Sequence, residues 1–227
     1  MLKRLLPNLA CMLCHQHSSS VVCQFCRYDT VFFHHTDKPS NLLLRPEVAK
    51  YVKHSAIDGL YSIGPYQWPL NKLIGRLKSS RDLLPAGVLA DWFAESIANA
   101  DLPLLPEALL PVPITYWRYY QRRYNQAVEL ANLIGKKINI PVDTQWARRK
   151  TAKQQTGLNR QQRLQNLRRA YIVSDGLPYR HLAIVDDVIT TGSTVDVLAK
   201  QLKRANPRVK IDVWATAVTL APLVNRS

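Results

Sequence analysis

The sequence predicts an α/β fold in which a parallel sheet carries helices on both faces, with a small cysteine knuckle ahead of it. Short apolar runs alternate with segments of helical periodicity through the second half of the chain, an order that favours parallel strands joined by crossover helices. The 227 residues, 47% of them hydrophobic, suffice for the core of one ordinary domain and a small appendage. All four cysteines lie at the amino-terminal end, at or before position 26. The expected division is residues 1–54 for the knuckle and a connection, and 55–227 for the main domain.

The cysteines Cys11, Cys14, Cys23 and Cys26 are spaced C-x2-C-x8-C-x2-C. Two such turns aim four thiolates at one tetrahedral Zn²⁺. Two disulfides are the alternative, which a reducing compartment disfavours. His15, His17, His34 and His35 are close by but are not needed to complete the shell, and are read as surface residues. Export is not expected: Lys3 and Arg4 precede leucines as in a leader, but Pro7 and Asn8 interrupt the apolar stretch. No apolar run approaches the ~20 residues that span a bilayer, so a cytoplasmic chain is expected.

Residues 27–54 are polar and irregular and read as a connection. Short alternating segments around Gly59 and Gly64 predict a hairpin within 56–68, followed by a basic helix ending near Lys78. Val88, Leu89, Trp92, Phe93 and Ile97 recur at helical spacing and mark a buried helix face. Residues 109–114, LLPVPI, read as a short buried strand closed by prolines. Ala127, Leu130, Ala131, Ile134 and Ile138 form one apolar stripe, with Asn125 placed to cap the helix. Residues 148–169 offer almost nothing to bury and predict a mobile or ligand-ordered segment. Strands are expected at 171–173, 181–187 and 211–220, and a helix at 195–204. A sheet built in this order binds ligands outside the carboxyl ends of its strands.

The chemistry concentrates in LAIVDDVITTGST, residues 182–194. A buried run is expected to stop at Asp186 and Asp187, two carboxylates able to accept hydrogen bonds from a ribose diol or to face a Mg²⁺ shared with a diphosphate. Thr190, Thr191, Gly192, Ser193 and Thr194 then form a turn of small residues whose backbone and hydroxyl donors lie where the next helix begins. That helix terminus favours a phosphate dianion. An ordinary strand-to-helix turn with a Ser/Thr cap is the plainer alternative for the TGS portion alone.

The complete string resembles the phosphoribosyl-diphosphate (PRPP) loop of type I phosphoribosyltransferases. The resemblance implies that fold for the main domain, with Asp186 and Asp187 on the ribose hydroxyls, Thr190 to Thr194 on the 5′-phosphate, and Mg²⁺ accompanying the diphosphate. Several purine-salvage members carry an Asp where this chain has Thr190. A threonine hydroxyl does not exchange a proton usefully at neutral pH, so purine salvage is disfavoured.

Three further segments sharpen the match: PVPITYWRYYQRRYNQAVELA from Pro111, QTGLNRQQRLQNLRRAY from Gln155, and the cysteine knuckle. Together with VDDVITTGST they resemble the ComF/GntX family, bacterial proteins linked to competence and to the use of external DNA. The resemblance implies a role in DNA uptake or utilisation around a PRPP-type site. An active phosphoribosyltransferase with an unidentified acceptor, and a PRPP-sensing regulator, stay open beside it. Family members often carry Gly before the aromatic of the Asn-Gln motif, where this chain has Arg123, and many have a further cysteine pair absent here.

Candidate diphosphate contacts are Lys78, the turn of Pro113, Ile114 and Thr115, and Arg118, Arg122 and Arg123. Gln155, Arg163 and Asn166 are candidates for a hood over the site. For each cation, a solvated surface role is the alternative.

The net charge of +15, from 31 basic and 16 acidic residues, favours polyanionic partners, or else reflects a generally basic surface. Between Tyr116 and Arg169 stand 13 Lys or Arg and two acidic residues, interleaved with Tyr116, Trp117, Tyr119, Tyr120 and Tyr124. Cations beside stackable rings suit single-stranded DNA. They equally suit a phosphate clamp within a packed domain.

Overall fold

The computed structural model describes residues 10–33, 38–79, 82–100, 102–150, 166, 169–174 and 176–220. Strands β1 (Gly59–Pro65) and β2 (Ala108–Pro111) are followed by an antiparallel ribbon of β3 (Ala147–Arg149) and β4 (Tyr171–Val173), then by β5 (His181–Ile189) and β6 (Lys210–Val218). The described helices are α1 (Gln24–Tyr28), α2 (Pro46–Ala49), α3 (Leu70–Ser79), α4 (Leu84–Ala98), α5 (Tyr116–Arg122), α6 (Gln126–Ile138) and α7 (Ser193–Ala205). β1, β6, β5 and β2 form, in that order, one sheet whose pairings are all parallel.

Alternation along the central strands builds two cores. Leu182 and Ile184 of β5, with Ile211 and Val213 of β6, pack with Val195, Leu198 and Leu202 of α7. Ala183, Val185, Trp214 and Ala217 face the other way, onto apolar residues of α3, α4 and α6. Helices therefore cover both faces, as the alternation of elements predicts, and both central strands are shielded from water as parallel strands require.

Residues 56–68 do not form a hairpin. They supply the single strand β1, whose partner β6 lies far along the sequence, in register from Gly59 opposite Asp212 to Pro65 opposite Val218. The two glycines mark close approach rather than turning: a Cβ on Gly64 would lie 2.1 Å from the Val31 carbonyl oxygen, and one on Gly59 2.6 Å from Asp212 Oδ1. β4 is a strand as expected but belongs to the ribbon outside the main sheet. β5 also runs past the expected stop at the carboxylates, because Asp186 and Val188 continue the ladder with Ala215 and Ala217.

The connection is better ordered than its polarity suggests. Buried Arg45 donates to the carbonyls of Phe33, Lys38 and Pro39 and so ties three points of the connection together. Farther towards the amino terminus, Arg27 bonds both oxygens of Glu95, Phe32 meets Trp92 edge-on at 5.4 Å, and Arg76 donates to the Met12 carbonyl at 2.7 Å. These contacts hold the cysteine segment against α3 and α4.

Candidate functional site

The carboxyl ends of β2 and β5 open into a cleft of about 290 Å³. Its walls include Asp186 and Asp187 from β5, Thr194 from α7, Pro113 and Ile114 from the turn after β2, Arg118 and Arg122 from α5, and Lys78 from α3. Eight residues singled out from the sequence are thereby brought together from three separate stretches of chain, at position 78, within 113–122 and within 186–194.

Local structure explains their placement. Asn125 caps α6 by accepting from the Ala127 amide at 3.0 Å and donates to the Val112 carbonyl at 2.9 Å, tying the helix to the end of β2. Thr115 caps α5 by accepting from the Arg118 amide, and Arg118 and Arg122, one turn apart, share the face that borders the cleft. The Tyr124 hydroxyl donates to the Leu77 carbonyl, which anchors the end of α3 beside Lys78. Thr216 donates to the Asp187 carbonyl at 2.6 Å across the sheet.

The two carboxylates differ. Asp187 pairs with Lys78 at 2.9 Å. Asp186 accepts from the Asp187 amide, yet burial and the adjacent Asp187 charge push its pKa up to about 7. Beyond them, Gly192 turns the chain with φ of +67° and stands as the N-cap of α7 without a side-chain capping bond. A Cβ there would lie 2.7 Å from Val52 and 2.8 Å from the Lys53 carbonyl, so glycine is required both by the backbone and by the space. Thr190 and Thr191 are exposed, and the Thr191 and Ser193 hydroxyls share a hydrogen bond of 2.9 Å.

Not every candidate lines the cleft. Thr115 acts as the cap just described, Arg123 lies over the Tyr120 ring at 4.8 Å, Ser193 faces a neighbouring cavity, and Asn166 is exposed. Gln155 and Arg163 lie outside the described residues. Arg123 occupies the left-handed region with φ of 69° as the C-cap of α5, a conformation that favours glycine, the residue the family resemblance leads one to expect there. The turn forms with arginine in that place, and the larger residue bears the strain. Arg123→Val, branched at Cβ, is expected to lose about 1–2 kcal/mol of stability, and Arg123→Gly to stay within ~1 kcal/mol of wild type. Urea denaturation of the three proteins checks both.

Gln126, Arg149 and Tyr171 also line the cleft and were not singled out from the sequence. Arg149 pairs with Tyr171 across the ribbon and stands over its ring at 5.2 Å. Burial pushes the Tyr171 phenol above its ordinary range. Gln126 sits within the quoted NQ motif, which was the available signal.

The four cysteines form a second site. Their Sγ atoms all lie within 4.8 Å of one another, with Cys11 to Cys26 at 3.9 Å and Cys14 to Cys23 at 3.7 Å. A tetrahedral thiolate shell with metal–sulfur bonds of about 2.3 Å has edges of about 3.8 Å, so the set fits one metal ion. Disulfide sulfurs would stand about 2.05 Å apart. Burial opposes ionisation of Cys11, but amides of Cys23, Cys14 and Leu13 outweigh it and hold the thiol down at about 6. No helix among the described residues is long and apolar enough to cross a membrane.

No protein-family model matches the chain. Among solved structures, the purine phosphoribosyltransferase of Pyrococcus horikoshii Ot3 aligns over 70% of this chain and 88% of its own at 16% identity. Its TM-score of 0.29 is too low to add to the topology described above. Sequence relatives are closer. Competence protein F of Haemophilus influenzae is 35% identical over 167 residues, covering 70% of this chain and 72% of the relative. The DNA utilization protein YhgH of Escherichia coli K12 is 32% identical over 165 residues, covering 71% and 72%. At that identity and coverage the relationship is one of descent across most of both chains: the protein belongs to the family of competence protein F and the DNA utilization protein YhgH.

Proposed function

We propose that the protein serves the uptake or utilisation of external DNA and that its cleft binds PRPP as a Mg²⁺ complex. The observation that carries the ligand is the meeting of Asp186, Asp187 and Thr194 with Lys78, Arg118 and Arg122 around one cleft. Carboxylates suit a ribose diol and Mg²⁺, cations suit a diphosphate, and a helix start without a side-chain cap suits a terminal phosphate. The DNA role rests on what the related proteins are named for, competence and DNA utilization.

Within this reading Asp186 and Asp187 orient the ribose, while Thr190 to Thr194 receive the 5′-phosphate through backbone and hydroxyl donors. The basic residues around the cleft balance the diphosphate. Mg²⁺, when bound, supplies charge neutralisation at the diphosphate oxygens. Positioning of this kind needs no protein nucleophile.

Calorimetry with Mg-PRPP tests the reading. Saturable binding at one equivalent per chain is expected, and its absence would remove the ligand assignment. Diphosphate release in the same samples, across candidate nitrogenous acceptors, would identify a transferase. Binding without release would identify a ligand-sensing or DNA-handling role.

The contact with DNA is assigned to α5. Tyr116 is 73% and Trp117 63% exposed, Tyr119 and Tyr120 are about half exposed, and Trp117 stacks on Tyr120 at 6.3 Å. Rings left in water beside arginines offer stacking faces to unpaired bases. Oligothymidylate affinity should fall as salt rises, and Trp117→Ala should cost about 1–3 kcal/mol of it. Fluorescence anisotropy at two salt concentrations reads both, and an affinity indifferent to salt and to Trp117 would remove α5 from the DNA path.

The metal is assigned as Zn²⁺, on the strength of an all-thiolate set with tetrahedral edges. The chain is assigned to the cytoplasm, where thiols stay reduced.

A further inference from the structure

Behind the 190–194 turn lies a second and larger cavity, of about 460 Å³, between residues 49–55 and the first half of α7. Its polar lining is Lys50, Lys53, His54, Ser55, Ser193, Asp196 and Lys200. The one carboxylate is already spent: Asp196 is 4% exposed, accepts from Ser55 Oγ at 2.9 Å and from Lys200 Nζ at 2.7 Å, and so cancels Lys200. Lys50 and Lys53 are left as a surplus of positive charge over the cavity. Lys50 also stands 4.9 Å from the centre of the exposed Tyr51 ring. Val52 and Val197 supply an apolar wall, and the volume falls in the range of cavities that hold one small organic ligand.

We propose that this cavity is a second anion site, distinct from the cleft, taking a metal-free phosphate-bearing molecule of nucleotide size, since its one carboxylate is paired and offers nothing to Mg²⁺. Charge sets the class: the surplus ammonium groups suit a phosphate chain, while Val52 and Val197 suit an uncharged ring or base attached to it. Position gives the site a lever on the cleft. The Lys53 amide donates to the Thr191 carbonyl at 2.9 Å, and Val52 and the Lys53 backbone lie so near Gly192 that a Cβ there would meet both within 2.8 Å. An anion drawn onto Lys50 and Lys53 therefore acts on the segment that braces the turn. The site stands without the PRPP reading of the cleft, on which only the competition arm below depends.

Titration calorimetry with inorganic tripolyphosphate tests the proposal on wild type, Lys50→Ala/Lys53→Ala and Arg118→Ala/Arg122→Ala. Wild type is expected to bind two equivalents and each double variant one, the lost equivalent weakening at least about tenfold. The equivalent kept by Lys50→Ala/Lys53→Ala should be displaced by Mg-PRPP, and the one kept by Arg118→Ala/Arg122→Ala should not. Failure of that displacement counts against PRPP in the cleft and leaves the second site standing. Two equivalents retained by Lys50→Ala/Lys53→Ala, or a wild type binding only what Mg-PRPP removes, would overturn the proposal.

Lys50→Gln/Lys53→Gln keeps the length of the side chains, and unchanged melting temperatures exclude unfolding as the cause of a loss. A parallel oligothymidylate titration separates a free anion from a nucleic-acid backbone. Unchanged affinity in the lysine variants supports the small ligand, and a tenfold fall would reassign the cavity to DNA.

Discussion

Asp186→Asn combined with Asp187→Asn is expected to lower the affinity for Mg-PRPP by at least about 100-fold. Each carboxylate is a charged acceptor at the cleft, and a hydrogen bond to a charged group contributes about 1.5–3 kcal/mol. Losing two therefore removes about 3–6 kcal/mol, before any loss of Mg²⁺ attraction. Unfolding will not explain the result, because the folded chain holds ionised Asp186 at a cost. Its pKa stands near 7 against an ordinary 3.8, so the folded state binds this proton more tightly than the unfolded one. Stability from this group must then fall as pH rises from about 4 to about 7 and level off above. Asp186→Asn lacks that slope, and its urea midpoint should match or exceed wild type at pH 8 while the gap closes at pH 5. Ligand affinity in the wild type should move oppositely, rising through pH 7 as the proton leaves. A double variant that binds normally, or one that has simply unfolded at pH 8, would defeat this account of the cleft.

How far such a site can be read from sequence depends on which physical signal carries it. Periodicity found α4, α6 and α7, because their apolar stripes face cores that the pattern itself implies. Asn125 was legible as a cap for the same local reason. The segments around Gly59 and Gly64 read as a hairpin, since glycine punctuation does not distinguish a residue that bends the chain from one that lets Asp212 or the Val31 carbonyl approach. Asp186 and Asp187 were legible as a pair of carboxylates, but continuation of the β5 ladder through them depends on β6 lying alongside. Arg149 and Tyr171 reach the cleft only because β3 and β4 pair, and no spacing along the chain announces it. Buried Arg45 looks like any connecting arginine until its three carbonyl partners fold around it.

Stripping the metal from the cysteine cluster is expected to have an equally large effect, confined at first to one end of the molecule. One zinc per chain should be measured by elemental analysis, and Cys26→Ala should abolish it, since three thiolates leave the shell open. Structural zinc in comparable small sites supplies about 10–16 kcal/mol of apparent folding free energy near neutral pH. The segment around it has little core of its own beyond Cys11, Cys23, Cys26 and the side chains of Leu13 and Val22. Four thiols crowded within 4.8 Å of one another gain little from that proximity without an ion between them. Loss of the metal should therefore release the segment that carries Arg27, Phe32 and the Val31 carbonyl, and with it the contacts to Glu95, Trp92 and Gly64. In protein labelled with fluorotryptophan the Trp92 resonance should move on chelation, while the helical and sheet signal of the main domain changes little, because Phe32 is the one buried core residue that the released segment contributes. A metal-free preparation whose Trp92 environment matches the wild type would show that packing on α4, and not the ion, holds this end of the chain in place.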